Sequence, residues 1–167
     1  MLDVSVETDG DWDSSTDWAA LADRAARAAI GESAFPQLSK AGRVVEIAMR
    51  LSSDEEVHAL NRDWREKDRP TNVLSFPMAE AGDLDAAMTA GPELMLGDII
   101  LAHGVCAREA ADKGLPLESH AAHLMVHGTL HLLGYDHMDE MAASDMEARE
   151  IRALSRMNIS DPYGDRG

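Results

Sequence analysis

Residues 117–137 read LESHAAHLMVHGTLHLLGYDH, and the arrangement of the rest of the chain follows from this stretch. Its first seventeen residues, through Leu133, are apolar on most faces. A helix of that kind is buried on most sides, so it is expected to be the central helix, packed against a sheet. Gly134 is expected to end it, because glycine adopts left-handed backbone without steric cost. On the helix, His127 and His131 stand four residues apart and share a face. Beyond Gly134 the chain turns, and His137 can return to the point at which those two rings aim. Three neutral imidazoles converging on one spot suit Zn²⁺, one ion per chain, with nitrogen ligands at roughly 2.0–2.1 Å. Three protein ligands leave a fourth position open, which marks a catalytic rather than a structural metal.

The other histidines read differently. His123, His127 and His131 cannot form the set, because positions 123 and 131 lie roughly 12 Å apart along a helix axis. His123, one turn before His127, either lines the same cleft or is a hydrogen-bonded, partly buried residue. His58, His103 and His120 read as surface or structural side chains. Asp98, at a strand start, and Asp136, beside a ligand, could each orient a ligand ring through its second nitrogen, with a surface or turn role as the alternative.

Working outward, residues 2–7 alternate as a short strand, and Ser14, Ser15 or Thr16 could cap a helix that runs to Gly31. Residues 43–50 read as a strand, and Ser53 with Glu56 at capping-box spacing opens a second helix. Residues 72–76 form a strand closed by Pro77, 77–96 an irregular and mobile loop, and 97–101 a buried strand. Helices follow at about 102–113, with Pro116 in the first turn of the next, and at about 139–156. The expectation is a single α/β domain over 1–156, with a small mixed four-stranded sheet packed against the central helix and flanking helices. Residues 157–167 read as a loose tail.

The 167 residues suffice for one domain with a real core. No run approaches the ~18 apolar residues of a membrane span, and the acidic N-terminus does not read as a secretory signal. The single cysteine, Cys106, reads as a buried thiol, and the expected setting is reducing cytoplasm. A net charge of −16 works against indiscriminate binding to nucleic acid. A local basic groove remains open to it, since Arg62, Arg65, Lys67 and Arg69 cluster within residues 62–69, against Asp63, Glu66 and Asp68.

The frame H-x3-H-x2-G-x2-H is shared with the metzincin proteases, which place a general-base Glu directly after the first histidine. Here that position is Gly128, so a peptidase reading loses its base. With HGTLHLLGYDH at 127–137, LNRDWREKDRPTNVLSFP at 60–77 and LGDI at 96–99, the chain resembles the YbeY family of bacterial endoribonucleases, or rRNA maturation factors, over roughly residues 40–155. The resemblance implies one α/β domain, zinc on His127, His131 and His137, and a functional arginine across the cleft at Arg65. The family carries Tyr just before that arginine, where this chain has Trp64. It further implies cleavage of single-stranded RNA, in maturation of the 3′ end of 16S rRNA and in ribosome quality control. The expected partners are a 16S rRNA precursor and the small ribosomal subunit or its proteins, with neither DNA nor membrane. A metal-dependent hydrolase of another substrate and a non-catalytic, metal-bearing assembly factor are the alternatives.

Overall fold

The computed structural model describes residues 1–86 and 91–163. The elements run β1 (Leu2–Thr8), α1 (Trp18–Gly31), a 3-10 helix (Pro36–Lys40), β2 (Val45–Ser52), α2 (Asp54–Arg65), β3 (Val73–Pro77), α3 (Ala81–Asp85), β4 (Leu94–Ala102), α4 (His103–Lys113), α5 (Leu117–Leu132) and α6 (Glu140–Arg156). The sheet order is β1-β2-β4-β3, with β1, β2 and β4 parallel and β3 antiparallel to β4. This is the mixed four-stranded sheet that the pattern of elements implies. Central β4 is buried along nearly its whole length, which accounts for its almost unbroken apolar run.

Helix α5 is the centre of the fold and touches α1, α4, α6, β3 and β4. Alanines at 22, 25, 26 and 29 of α1 are buried, which lets the two helices approach closely. Residues alternate across the sheet along β4 on either side of a register shift between Met95 and Gly97. Leu96, Ile99 and Leu101 belong to the large core that also holds Leu124, Met125 and Leu130 of α5. Ile100 and Ala102 pack on the other side, with Val57 of α2 and Leu74. Two glycines set the helix–sheet spacing. A Cβ at Gly128 would stand 2.8 Å from Ile99 Cγ2, and one at Gly97 would stand 2.7 Å from Leu132 Cδ2.

Several local details depart from the pattern. Asp17, not Ser14, Ser15 or Thr16, caps α1, accepting from the Ala20 N–H at 3.0 Å. Ser15 instead binds Asp13. Ser53 caps α2 as expected, but the Glu56 carboxylate accepts from Arg50 at 2.5 Å. Pro116 stands at the cap of α5, one position before its first turn. The stretch expected as a loop at 77–96 contains α3, whose Leu84 is buried, and β4 starts at Leu94 because Leu94 and Leu96 both face the core. Residues 87–90 of that stretch lie outside the described residues.

The expected loose tail also needs correction. The apolar stripe of α6 continues past its end, so Met157 is buried and Ile159 packs on the core. Asn158 takes a left-handed conformation at φ 60° and turns the chain back. Residues 157–163 therefore lie on the domain, while 164–167 lie outside the described residues. Among the described residues no helix is long and apolar enough to cross a membrane.

Candidate metal centre

The C-terminal half of α5 presents His127 and His131 to a cleft. Helix α5 stops at Leu132, and Gly134 takes φ 97°, the left-handed stop anticipated from the sequence. The Tyr135 N–H bonds back to the Leu130 carbonyl at 3.1 Å, which closes the turn. His137 then returns beside the pair, its ring centroid 5.7 Å from that of His127 and 5.3 Å from that of His131. One ligand nitrogen from each of the three residues lies within 4.8 Å of the others.

The donor set fits a metal ion on two grounds. The Nε2 atoms of His127 and His131 stand 3.1 Å apart, close to the roughly 3.3 Å between two nitrogens in a tetrahedral zinc set. The His131 ring also favours the neutral form that a metal takes. Burial, with the neighbouring charges of His127 and His137, pushes His131 down to about 4. His127 donates from Nδ1 to Glu150, which leaves Nε2 as its free nitrogen.

Glu150 was not found from the sequence. Burial alone would raise its pKa, but the His123 and His127 rings and the Tyr163 hydroxyl outweigh that and hold it at about 2. It is 1% exposed. The signal was present, because Glu150 occupies a position in the buried stripe of α6 with Met146 and Leu154. An acid where the stripe demands an apolar side chain needs a partner. The two candidates for this role do not fill it. Asp98 points to the opposite face of the sheet, into a groove of about 570 Å³ that it shares with Leu60, Trp64 and Phe76. Asp136 accepts from the Met138 N–H at 3.2 Å and makes a local turn.

Facing the histidines, across a cleft of about 320 Å³, are Asn61, Arg65, Lys67 and Arg69, with Ser75 and Pro77 also lining it. Arg65 is the last residue of α2 and is exposed. Of the four expected basic residues, Arg62 is not among those lining the cleft. It sits a third of a turn off the Asn61–Arg65 face and bonds Asp63 at 3.0 Å. Asn61 is a second residue that the sequence reading passed over. It is 2% exposed, and its amide donates to the Arg69 carbonyl at 2.9 Å. With Glu66 left-handed at φ 57°, this bond folds residues 66–69 back over the cleft.

His123 is the hydrogen-bonded residue of the two alternatives. It is 7% exposed and reaches the Tyr163 hydroxyl at 3.2 Å. His120 is buried on Glu109 at 2.8 Å, His58 meets Asp68 at 2.7 Å, and His103 stacks edge-on to Trp12. Cys106 is buried, as read, and desolvation pushes its thiol up to about 12. Gly128 is buried against Ile99, so its position has no room for the general base of a peptidase.

Fold and site define a small α/β protein with a three-histidine group able to hold one metal ion. The family model described as endoribonuclease YbeY matches residues 9–158. Endoribonuclease YbeY of Sphingopyxis alaskensis is 49% identical over 166 residues, covering 99% of each chain. The protein of the same description from Novosphingobium aromaticivorans is 51% identical over 162 residues, covering 96% of this chain and 95% of that one. The solution structure of TM1509 from Thermotoga maritima aligns with a TM-score of 0.53 at 21% identity, over 100% of this chain and 99% of that one, and supports the fold alone. The chain belongs to the YbeY family of endoribonucleases.

Proposed function

We propose that this protein is a metal-dependent endoribonuclease, specific for single strands, that acts in the cytoplasm on 16S rRNA 3′-end maturation and in ribosome quality control. The relatives' description as endoribonucleases supports the reaction class. The observation that carries the site assignment is one cleft bounded by three histidine rings on one side and Arg65 on the other. His127, His131 and His137 are the ligands, and Zn²⁺ is the metal that suits three imidazoles with an open position. Held there, zinc supplies Lewis acidity toward a phosphoryl oxygen and toward water.

The protein's own contribution is charge and placement. A phosphodiester is an anion, and Arg65 offers a planar fork of donors that stays charged at any working pH. It binds the phosphate and stabilises the charge that develops on it. Lys67 and Arg69 extend a positive rim along the strand's path. The rest of the surface carries the excess of acid behind a net charge of −16, which repels nucleic acid away from this rim. Recognition of the small ribosomal subunit or its proteins would deliver the substrate where charge attraction is confined to one edge.

Metal analysis and cleavage of a labelled single-stranded RNA test the proposal on wild type and His131→Ala. Wild type should carry about one zinc per chain and cleave, and His131→Ala should do neither. Cleavage by metal-free His131→Ala at the wild-type rate would overturn it.

A further inference from the structure

We propose that Glu150 is the positioning residue of the metal centre, and that Tyr163, backed by His123, holds Glu150 in turn. The segment after α6 thereby tunes how tightly the histidines bind a metal ion. This rests on the reading of His127, His131 and His137 as ligands.

The argument starts from a carboxylate in the wrong place for packing. Glu150 lies in the apolar stripe of α6, 1% exposed. A buried carboxylate persists only where its oxygens are bonded. Both are. Oε1 accepts from Nδ1 of His127, and Oε2 accepts from the Tyr163 hydroxyl at 2.6 Å. The Tyr163 oxygen in turn lies 3.2 Å from His123 Nε2, and His123 Nδ1 is buried without a partner among the described residues. An unpartnered lone pair costs less than an unpartnered N–H, so the His123 proton sits on Nε2 and is donated to Tyr163. The bonds then run in one direction, from His123 to Tyr163 to Glu150.

The end of that chain is a ligand. A carboxylate on Nδ1 fixes which nitrogen of His127 is free, sets the ring's angle and raises its basicity toward a metal. Tyr163 is placed to do this because Met157 and Ile159 anchor the segment that carries it.

The test uses the full chain, stripped with chelator and titrated with Co²⁺ against a competitor of known affinity. The visible Co²⁺ spectrum and the melting temperature of the metal-free protein are recorded alongside. Glu150→Gln keeps the shape and the acceptor for His127 but loses the charge. It should weaken Co²⁺ binding roughly 10- to 100-fold and shift the visible bands. Tyr163→Phe should weaken it by a smaller factor, roughly 3- to 10-fold. Should Glu150→Gln fail to fold, Tyr163→Phe alone decides. Wild-type affinity and spectrum in the folded variants would overturn the proposal, as would a lowered metal-free melting temperature with unchanged affinity, which marks a purely structural role. His131→Ala separates the two levels. If wild type binds Co²⁺, His131→Ala does not, and both other variants bind like wild type, the ligand reading stands and this proposal falls. If wild type binds none, the ligand reading itself falls.

Discussion

His120 and His123 stand about one turn apart in the first half of α5, and His127 and His131 stand one turn apart in the second half. The two pairs meet different surroundings. In the first, Glu109 occupies Nε2 of His120, Tyr163 faces Nε2 of His123, and the Nδ1 of each is buried with no partner among the described residues. In the second, both Nε2 atoms face a cleft and lie 3.1 Å apart. Four imidazoles on one helix thus divide into two that staple the fold and two that face outward. Two things distinguish the outward pair: nitrogens that reach a cleft, and a third donor arriving from outside the helix.

Removing that third donor should break the comparison most completely. His137 is exposed, so His137→Ala should melt like wild type. Metal content should fall from about one equivalent to near none, with RNA cleavage at background. Full metal occupancy in this variant would reduce the second pair to the status of the first.

Arg65 sharpens the contrast from across the cleft. Arg65→Ala should keep its metal and change stability by no more than about 0.5 kcal/mol. Its cleavage rate should fall on the order of 10²–10³-fold, and Arg65→Lys should recover only part, since a point charge cannot reproduce the fork. Wild-type cleavage by Arg65→Ala would remove the arginine from the mechanism.

The mirror-image outcome belongs to His120. It is 2% exposed, and it ties α5 to Glu109 of α4, which also accepts from Asn72. His120→Ala should destabilise by roughly 2–4 kcal/mol through the lost volume and hydrogen bond. Metal stoichiometry should be unchanged, as read by chemical denaturation beside elemental analysis.

The smallest effect is a pH slope. Burial foremost, with the charges of Lys113 and His123, lowers the pKa of His120, while Glu109 works to raise it. With the folded value depressed, the unfolded chain takes up a proton first as the pH falls. Stability from this group is therefore intact above about pH 6.5 and is lost as the pH drops through the lower folded value. Melting curves between pH 7.5 and 5 should show a shallower decline in His120→Gln than in wild type. Equal slopes would assign the decline to other groups.

How much of this was legible depended on distance along the chain. The i,i+4 pair, the glycine stop and the return of His137 all lie within eleven residues, where helix geometry alone constrains the outcome. Glu150 meets His127 from another helix, 23 positions away, and only its misfit in the stripe of α6 hinted at a partner. The two alternatives for Asp98 stayed open because strand alternation says that neighbours face opposite ways, but not which side the central helix covers. Ile99 faces α5, so Asp98 cannot. The tail and α3 fold because Met157, Ile159 and Leu84 find room in a core formed by distant elements. No local pattern reveals that room.

The contact of Gly97 and Gly128 has a mechanical consequence for the cleft. Both glycines lie at the seam where α5 rests on β4, and Gly97 also abuts Phe76 and Pro77 of β3. The histidines ride on α5, whereas Ser75 and Pro77 belong to β3, which is paired to β4. A methyl group at Gly128 would act as a wedge against Ile99, lifting the helix off the sheet and carrying His127 and His131 away from the opposite wall, whereas one at Gly97 would meet the Phe76 carbonyl of β3 before it met Leu132. The gauge of the opening is thus set by a hydrogen atom on the residue next to His127, where any larger group would press on Ile99.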